Sequence, residues 1–404
     1  MFDLNAFIKR CVTRRERSLL ADDLNRHEAE LRARIEGARV LVIGGAGSIG
    51  SNYIKALLCF NAAKLVVVDI SENELAELAR DLRSSGKYRM PEGFIAYPVN
   101  FADKVFKKLV KAHGPFDIVA NFAAHKHVRS EKDVFSIEAM IENNVFRARE
   151  LLDLMLEAPP RHFFCVSTDK AANPANVMGA SKKLMEEMIM AYADHLPVKT
   201  ARFANVAFSN GSLPFGFLQR LQKRQPWACP LDIQRFFVSP GESGELCLLA
   251  SVIGESGDIV FPKLNPTSDM ITFTQIAKDL LSELGLEPDP CVSEDEAREK
   301  MKNHEGRAME KWPVYYFESD TSGEKGVEEF YTAEESPDFE TFINLGVIKN
   351  AKRRSLKEID AIFKELKELF TSSDADKEKI VAVLGDYLPN FSHIEKGRGL
   401  DAKM

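Results

Sequence analysis

Arg39-Val40-Leu41-Val42-Ile43-Gly44-Gly45-Ala46-Gly47-Ser48-Ile49-Gly50 is the stretch on which the fold turns. Val40 to Ile43 is an unbroken aliphatic run, the pattern of a parallel strand buried on both faces. It enters glycines at GxxGxxG spacing, Gly44/Gly47/Gly50, followed by a helical run over 51–60. A second aliphatic strand, Lys64-Leu65-Val66-Val67-Val68, then ends at Asp69. Glycine permits a tight turn and lets backbone N–H groups and the helix N-terminus approach a pyrophosphate. Strand, glycine triad, helix, strand and acid in this order predict a dinucleotide site that includes Gly44, Gly47, Ser48, Ile49, Gly50 and Asp69.

Asp69 bears on which dinucleotide. A carboxylate there accepts ribose hydroxyls and repels a 2′-phosphate, and no Arg or Lys follows over 70–79. NAD rather than NADP is expected. Ser71, opening the next helix with Glu74 three residues on, reads as a cap that can also touch the adenosine. A third strand over 94–99 leads to Asn100 and Phe101, and a fourth over 116–120 leads to Asn121-Phe122-Ala123-Ala124-His125-Lys126-His127. Small residues such as Ala123 at that strand end let a nicotinamide lie close to the backbone. Lys126 and His127 face either cofactor or substrate, and His127 reads equally well as a hydrogen-bonded structural histidine. A long helical segment follows over 137–155.

The next strand, Phe163-Phe164-Cys165-Val166, delivers Ser167, Thr168, Asp169 and Lys170 at its C-terminal end, where open α/β sheets place ligands. After a loop containing Pro174, a helical pattern over 181–192 carries Lys182 in its first turn. A hydroxyl, a carboxylate and two amines gathered on one strand–loop–helix unit suit proton transfer. An ordinary salt bridge between Asp169 and Lys170 is the competing reading.

Composition narrows the class. The apolar fraction of 45% and charged fraction of 28% are those of a soluble globular chain. With 54 Lys and Arg against 61 Asp and Glu, nothing favours nucleic acid. No apolar run is long enough to span a bilayer, and the first residues lack a signal-peptide block. The six cysteines show no CxxC spacing, so buried reduced thiols are expected, with no metal site and a cytoplasmic location.

The strings GGAGSIG, AAHKHV, ENNV, STDKAANPANVMGASKK, ARFANVAFSNGS and QRFF, in this order, resemble the extended short-chain dehydrogenase/reductases. More narrowly they are similar to the CapD-like polysaccharide biosynthesis proteins, the UDP-N-acetylglucosamine 4,6-dehydratases. The resemblance covers residues 38–262 well and 263–345 loosely. It implies an internal redox cycle, in which NAD takes a hydride from C4 of the sugar, water leaves across C5/C6, and the hydride returns to C6. Carried over by position, Lys170 resembles the base for the C5 proton, Asp169 the acid for the 6-hydroxyl, and Thr168 the hydroxyl that binds the 4-oxygen. A lysine beside a carboxylate and a cofactor cation can be moved toward neutrality. Asn205, Gly211 and Ser212 resemble substrate contacts, Lys182 resembles the lysine that holds the nicotinamide ribose, and Arg235 suits a nucleotide diphosphate. Pairing of Arg235 with Glu242 or Glu245 is the alternative.

Two positions depart from the resemblance. The superfamily's Tyr-x-x-x-Lys appears with Met178 in place of tyrosine, and a thioether cannot accept a proton. A subgroup of these dehydratases carries the same Met, which implies an active enzyme that uses Asp169, or a water held by Thr168 and Lys182, as the other base and retains C5. The Arg-Pro-Gly-Glu-Lys region appears as Thr321-Ser322-Gly323-Glu324-Lys325, without its arginine.

The expected architecture is a doubly wound parallel sheet of Rossmann type with a smaller C-terminal substrate lobe. Residues 1–36 form a helical extension, and 37–204 with about 236–262 form the NAD-binding domain. About 205–235 with 263–345 form the substrate lobe, in which 287–310 reads as an exposed acidic insertion. Residues 346–404 form a second extension, with helices over 356–370 and 377–388 and no signal from Ser392 onward. The partner is a nucleotide sugar, a UDP-hexose. Helices over 137–155 and 181–192 correspond to the superfamily's dimer seam, so a homodimer or higher homo-oligomer is expected. The rival functions are a C5-inverting dehydratase, a nucleotide-sugar epimerase, and a non-catalytic NAD-binding protein.

Overall fold

The computed structural model describes residues 2–128, 131–303, 309–319, 323 and 325–395. Its main sheet has nine strands among these residues. The first six are β1 (Arg39–Ile43), β2 (Lys64–Asp69), β3 (Gly93–Pro98), β4 (Ile118–Asn121), β5 (His162–Val166) and β6 (Val198–Ala201). Across the sheet they run β6-β5-β4-β1-β2-β3, all parallel. The chain builds outward from β1 through β2 to β3, then returns to the other side of β1 for β4. Between β1 and β4 the connections part, and a crevice opens at the strands' C-terminal ends.

Helices cover both faces because the strands are apolar on both. Val40 and Val42 point into one core with Leu65 and Val67, and Leu41 and Ile43 into the other with Val66 and Val68. Beyond β6 the sheet continues with Ile259–Pro262, parallel to β6. Leu345–Ile348 and Pro337–Asp338 then follow as antiparallel strands. Residues 337–345, expected in the substrate lobe, and 346–348, expected in the C-terminal extension, therefore finish the main sheet. Gln234–Val238 instead pairs with Asn205–Val206 and Met270–Thr272 in a small separate sheet.

The remaining lobe holds a second small sheet, Trp227–Pro230, Lys311–Phe317 and Glu287–Cys291, all parallel. The segment after 287 is thus no mere insertion, since it supplies an edge strand and then the helix Glu294–Asn303. Phe7, Ile8 and Val12 of the N-terminal extension join the core of this lobe around Trp227, whereas Leu31 and Ile35 join the main core. All six cysteines are free thiols. Among the described residues, no helix is long and apolar enough to cross a membrane.

Of the helices assigned to a dimer seam, Arg147–Leu156 and Val177–Met190 pack against the chain's own C-terminal helices, Leu356–Thr371 and Lys377–Tyr387, whereas Phe135 of Val134–Ile141 is exposed. Phe363 packs edge-on against Phe146 with ring centroids 4.9 Å apart, Arg149 pairs with Asp360, and Arg354 with Glu187. Ile359, Ile362 and Leu366 are buried in the same core as Leu184 and Met188.

One polar network crosses the interior below the site. Arg202, fully buried after β6, holds Glu186 through two bonds of 3.0 and 2.8 Å and Glu335 through two of 2.8 and 2.9 Å. It also donates to the Phe330 carbonyl, and Ser167 donates to Glu186 at 2.6 Å. A planar fork with five donors is suited to two carboxylates at once. Replacing Arg202 with Met strands the buried Glu186 carboxylate and the partly buried Glu335 carboxylate. We expect a loss of about 3–5 kcal/mol in unfolding free energy, read from urea midpoints; a loss near zero would show that the network contributes nothing net.

Candidate active site

The first cleft lies at the parting of β1 and β4 and encloses about 280 Å³. Register sets Ile43 beside both Val68 and Asn121, so the turn after β1 emerges between Asp69 and Phe122. Gly44 adopts φ +69°, and a Cβ there would collide with the backbone of Phe122 and Ala123. A Cβ on Gly50 would overlap the Gly44 carbonyl, closing the turn onto its helix. Asp69 braces the same turn, accepting from Ala46 N at 3.0 Å through Oδ2 and from Ser71 N at 3.0 Å through Oδ1. Ser71 caps the following helix by accepting from Glu74 N, as its position predicts. A glycine cradle, a helix N-terminus at Ser48 and an acid at the second strand end fit a dinucleotide.

The second cleft, about 190 Å³, is lined by Lys170, Asn205, Ser209, Ser212, Arg235 and Glu328, with Phe237 and Phe273 as apolar walls. Lys126 lines the first cleft and Val128 the second, so one short segment passes from one to the other. The lobes are bridged directly where Asn210 N donates to Ser48 Oγ at 2.9 Å.

At the end of β5 the hydroxyl, the carboxylate and one of the amines expected there come together. Asp169 Oδ1 accepts from Thr168 Oγ1 at 2.8 Å, from Lys170 N at 2.9 Å and from Lys170 Nζ at 3.1 Å. The ion pair weighed as an alternative therefore exists; Lys170 lines the second cleft, whereas Asp169, which is buried, and Thr168 line neither cleft. A third partner was not foreseen: Glu328 Oε1 stands 3.5 Å from Lys170 Nζ. Burial pushes the Lys170 amine down, but Asp169 and Glu328 outweigh it and the opposing Arg235 charge. The amine is held above its ordinary value. Among the chain's own groups the balance runs away from neutrality, because two carboxylates face the amine.

Residues 40–336 match the polysaccharide biosynthesis protein family. The chain belongs to this family. An uncharacterized membrane protein of Methanocaldococcus jannaschii is 32% identical over 257 residues, 62% of this chain and 74% of that protein. A UDP-N-acetylglucosamine 4,6-dehydratase (inverting) of Campylobacter jejuni is 27% identical over 56% of this chain and 67% of its own. The chain spans only 42% and 37% of two longer curated relatives. Among solved structures, a UDP-glucuronic acid 4-epimerase of Bacillus cereus, in complex with UDP-glucuronic acid and NAD, superposes with a TM-score of 0.51 at 16% identity. It covers 82% of this chain and 99% of that one.

In this polysaccharide biosynthesis protein, Gly44, Gly47, Ser48, Ile49, Gly50, Asp69, Asn100, Phe101, Ala123 and Lys126 all line the first cleft. Lys170, Asn205, Ser212 and Arg235 line the second. Ser71, His127 and Gly211 belong to neither lining, and Lys126 falls on the cofactor side alone. Arg235 does not depend on Glu242 or Glu245, which meet Arg15 and Ser18; its Nη1 donates to the carbonyls of Gln234 and Gly326. Thr321, Ser322 and Glu324 lie outside the described residues.

The helix carrying Lys182 starts at Val177, four residues earlier than expected, because Asn176 caps it by accepting from Gly179 N at 2.7 Å. Lys182 is therefore in its second turn. Its amine donates to the Val166 carbonyl at 2.8 Å, and burial holds it below its ordinary value. Met178 and Lys182 are both buried and line neither cleft. Asn144 links this helix to the first cleft, accepting from His125 N and donating to Ser181 Oγ.

The C-terminal residues read as silent hold the loop before that helix. Ser392 N donates to Pro174 O at 3.0 Å, Ile394 N to Ala175 O at 3.0 Å, and Asn390 Nδ2 to Ala172 O at 2.9 Å. Glu131 accepts from Val177 N at 2.6 Å and is itself gripped by His393 and Lys377.

Gly50→Ala tests the glycine cradle. Overpacking of about 1–3 kcal/mol against the Gly44 carbonyl translates into roughly five- to hundredfold weaker dinucleotide binding. Calorimetric titration measures it, with circular dichroism to show an intact fold; unchanged affinity would place the dinucleotide elsewhere.

Proposed function

We propose that this chain is a nucleotide-sugar 4,6-dehydratase. It takes UDP-N-acetylglucosamine to the 4-keto-6-deoxy sugar with C5 retained, using NAD held in the first cleft. The observation that carries this reading is the Lys170 amine, bonded to Asp169 and lining a cleft continuous in sequence with the dinucleotide cleft. A 4-epimerase moves a hydride and the 4-hydroxyl proton but expels no water, and so needs no second group to take a ring C–H proton beside an acid for a leaving hydroxyl. The Campylobacter dehydratase relative and the UDP-sugar complex of the Bacillus neighbour support the substrate class.

NAD, when bound, supplies a reversible hydride acceptor. The chain's own residues handle the protons. Met178 cannot take the one on the 4-hydroxyl. Thr168 is hydrogen-bonded to Asp169, so the 4-hydroxyl proton passes by way of Thr168 to Asp169. Asp169 then gives it to the departing 6-hydroxyl, which leaves as water. Lys170, as the neutral amine, takes the C5 proton made acidic by the 4-ketone. The same amine returns a proton to C5 from the same side, and the configuration is kept. Arg235, with its guanidinium anchored by two carbonyls, serves the diphosphate.

Incubation with UDP-N-acetylglucosamine in deuterated water should yield a product lighter by one water, with deuterium at C5 and C5 configuration unchanged by NMR. Asp169→Asn and Lys170→Met should each slow water loss by about 10²–10⁴-fold while NAD stays bound. A product of unchanged mass would make the enzyme an epimerase, and full activity in either variant would remove the pair from the mechanism.

A further inference from the structure

We propose that Glu328 is a positioning residue of the reaction, facing the Lys170 amine as its second carboxylate and setting the charge that amine carries when the sugar arrives. Glu328 is 7% exposed and lines the substrate cleft with Lys170, Arg235 and Asn205. Its carboxylate lies 3.5 Å from Lys170 Nζ, close enough for charge but longer than the Asp169 contact of 3.1 Å. Asp169 can therefore exchange a proton with Lys170, while Glu328 acts on it mainly through space.

The placement of Glu328 is secured on every side of its loop. Arg235 Nη1 donates to the Gly326 carbonyl at 3.0 Å, two residues before it. Arg202 donates to the Phe330 carbonyl at 2.9 Å, two residues after it. Asn173 holds the neighbouring Glu329 carboxylate at 2.7 Å, turning that side chain away toward the surface. A loop pinned by two guanidiniums and an amide, one of them rooted in the buried core network, presents one carboxylate to one amine.

The chemical consequence follows from what Lys170 must do. A base needs the neutral amine, and each facing carboxylate favours the ammonium. The charged groups that bear on Lys170 are Asp169 beside it, Glu328 from the 326–330 loop, and Arg235 from the small sheet, which opposes them. Asp169 is used in the proton transfers, so its charge changes during turnover. Glu328 takes no part in those transfers, so its carboxylate, 3.5 Å from the amine, bears instead on the pH at which the base form becomes available. Removing that charge lowers the pH needed to obtain the neutral amine. The sign is fixed: the acid limb of the rate profile moves to lower pH.

This role rests on the dehydratase reading, and the experiment separates the two. In Glu328→Gln, which keeps shape and removes charge, the acid limb of kcat should fall by about one to three pH units, with KM for the nucleotide sugar changed much less than kcat at fixed pH. Glu328→Asp, which keeps the charge, should restore most of the wild-type profile. In parallel, the protein without substrate carries ¹³C-labelled lysine, its Lys170 signal is assigned by loss in Lys170→Met, and that signal is titrated. It should move to lower pH in Glu328→Gln by the same amount. An unmoved Lys170 titration overturns the proposal whether or not any sugar is dehydrated. Wild-type protein that dehydrates no sugar, with the titration shifted, would overturn the dehydratase reading and leave the Glu328–Lys170 coupling standing. A loss of activity in Glu328→Gln with no change in profile would mean that Glu328 only supports the fold.

Discussion

Between β1 and β4 two backbones leave the sheet side by side with no side chain between them. Gly44 sits against Phe122 and Ala123 there, and anything larger than hydrogen would force the strand ends apart. Everything functional is hung from this approach. The first cleft forms because the chain diverges at that point. The segment that leaves β4 then carries His125 to Asn144, Lys126 to the first cleft and Val128 to the second. Asn144 in turn grips Ser181 on the helix that carries Met178 and Lys182.

From the other side, the end of β5 is held from below by charge. Arg202, Glu186 and Ser167, all buried, join the helix, the strand end and the 330–335 loop into one network. Such a network is weak evidence of net stability, since the same ions are expensive to bury. Its effect is directional: it gives the loops around Thr168, Asp169 and Lys170 one arrangement. The loop over 171–177 has a further restraint in the strap at 390–394, whose bonds to it are mostly main-chain to main-chain.

These two forms of restraint explain what was readable in advance and what was not. Strands β1, β2 and β5 announce themselves, because a buried parallel strand must be apolar on both faces. The glycine spacing and Asp69 announce a dinucleotide because few other residues allow the backbone approach. The strap was silent because its bonds use amide and carbonyl groups that every residue owns. Glu328 was silent for a different reason: Glu328 and Glu329 are the same residue side by side, and only their loop decides which one faces Lys170 and which faces Asn173. The helix start at Val177 was misplaced because Pro174 and the residues after it look like loop until Asn176 is seen to cap the first turn.

Sequence by itself determined the sheet, the cradle and the chemical types at the end of β5, since each follows from local pattern: alternation, spacing, and the residues that can do acid–base work. Tertiary structure alone decided which carboxylates face Lys170, the packing of the C-terminal helices against part of the expected seam, and the return of 337–348 to the main sheet. Those depend on groups brought together from more than 80 residues apart. Electrostatic energy depends on distance in space, and no local pattern in the chain records that distance.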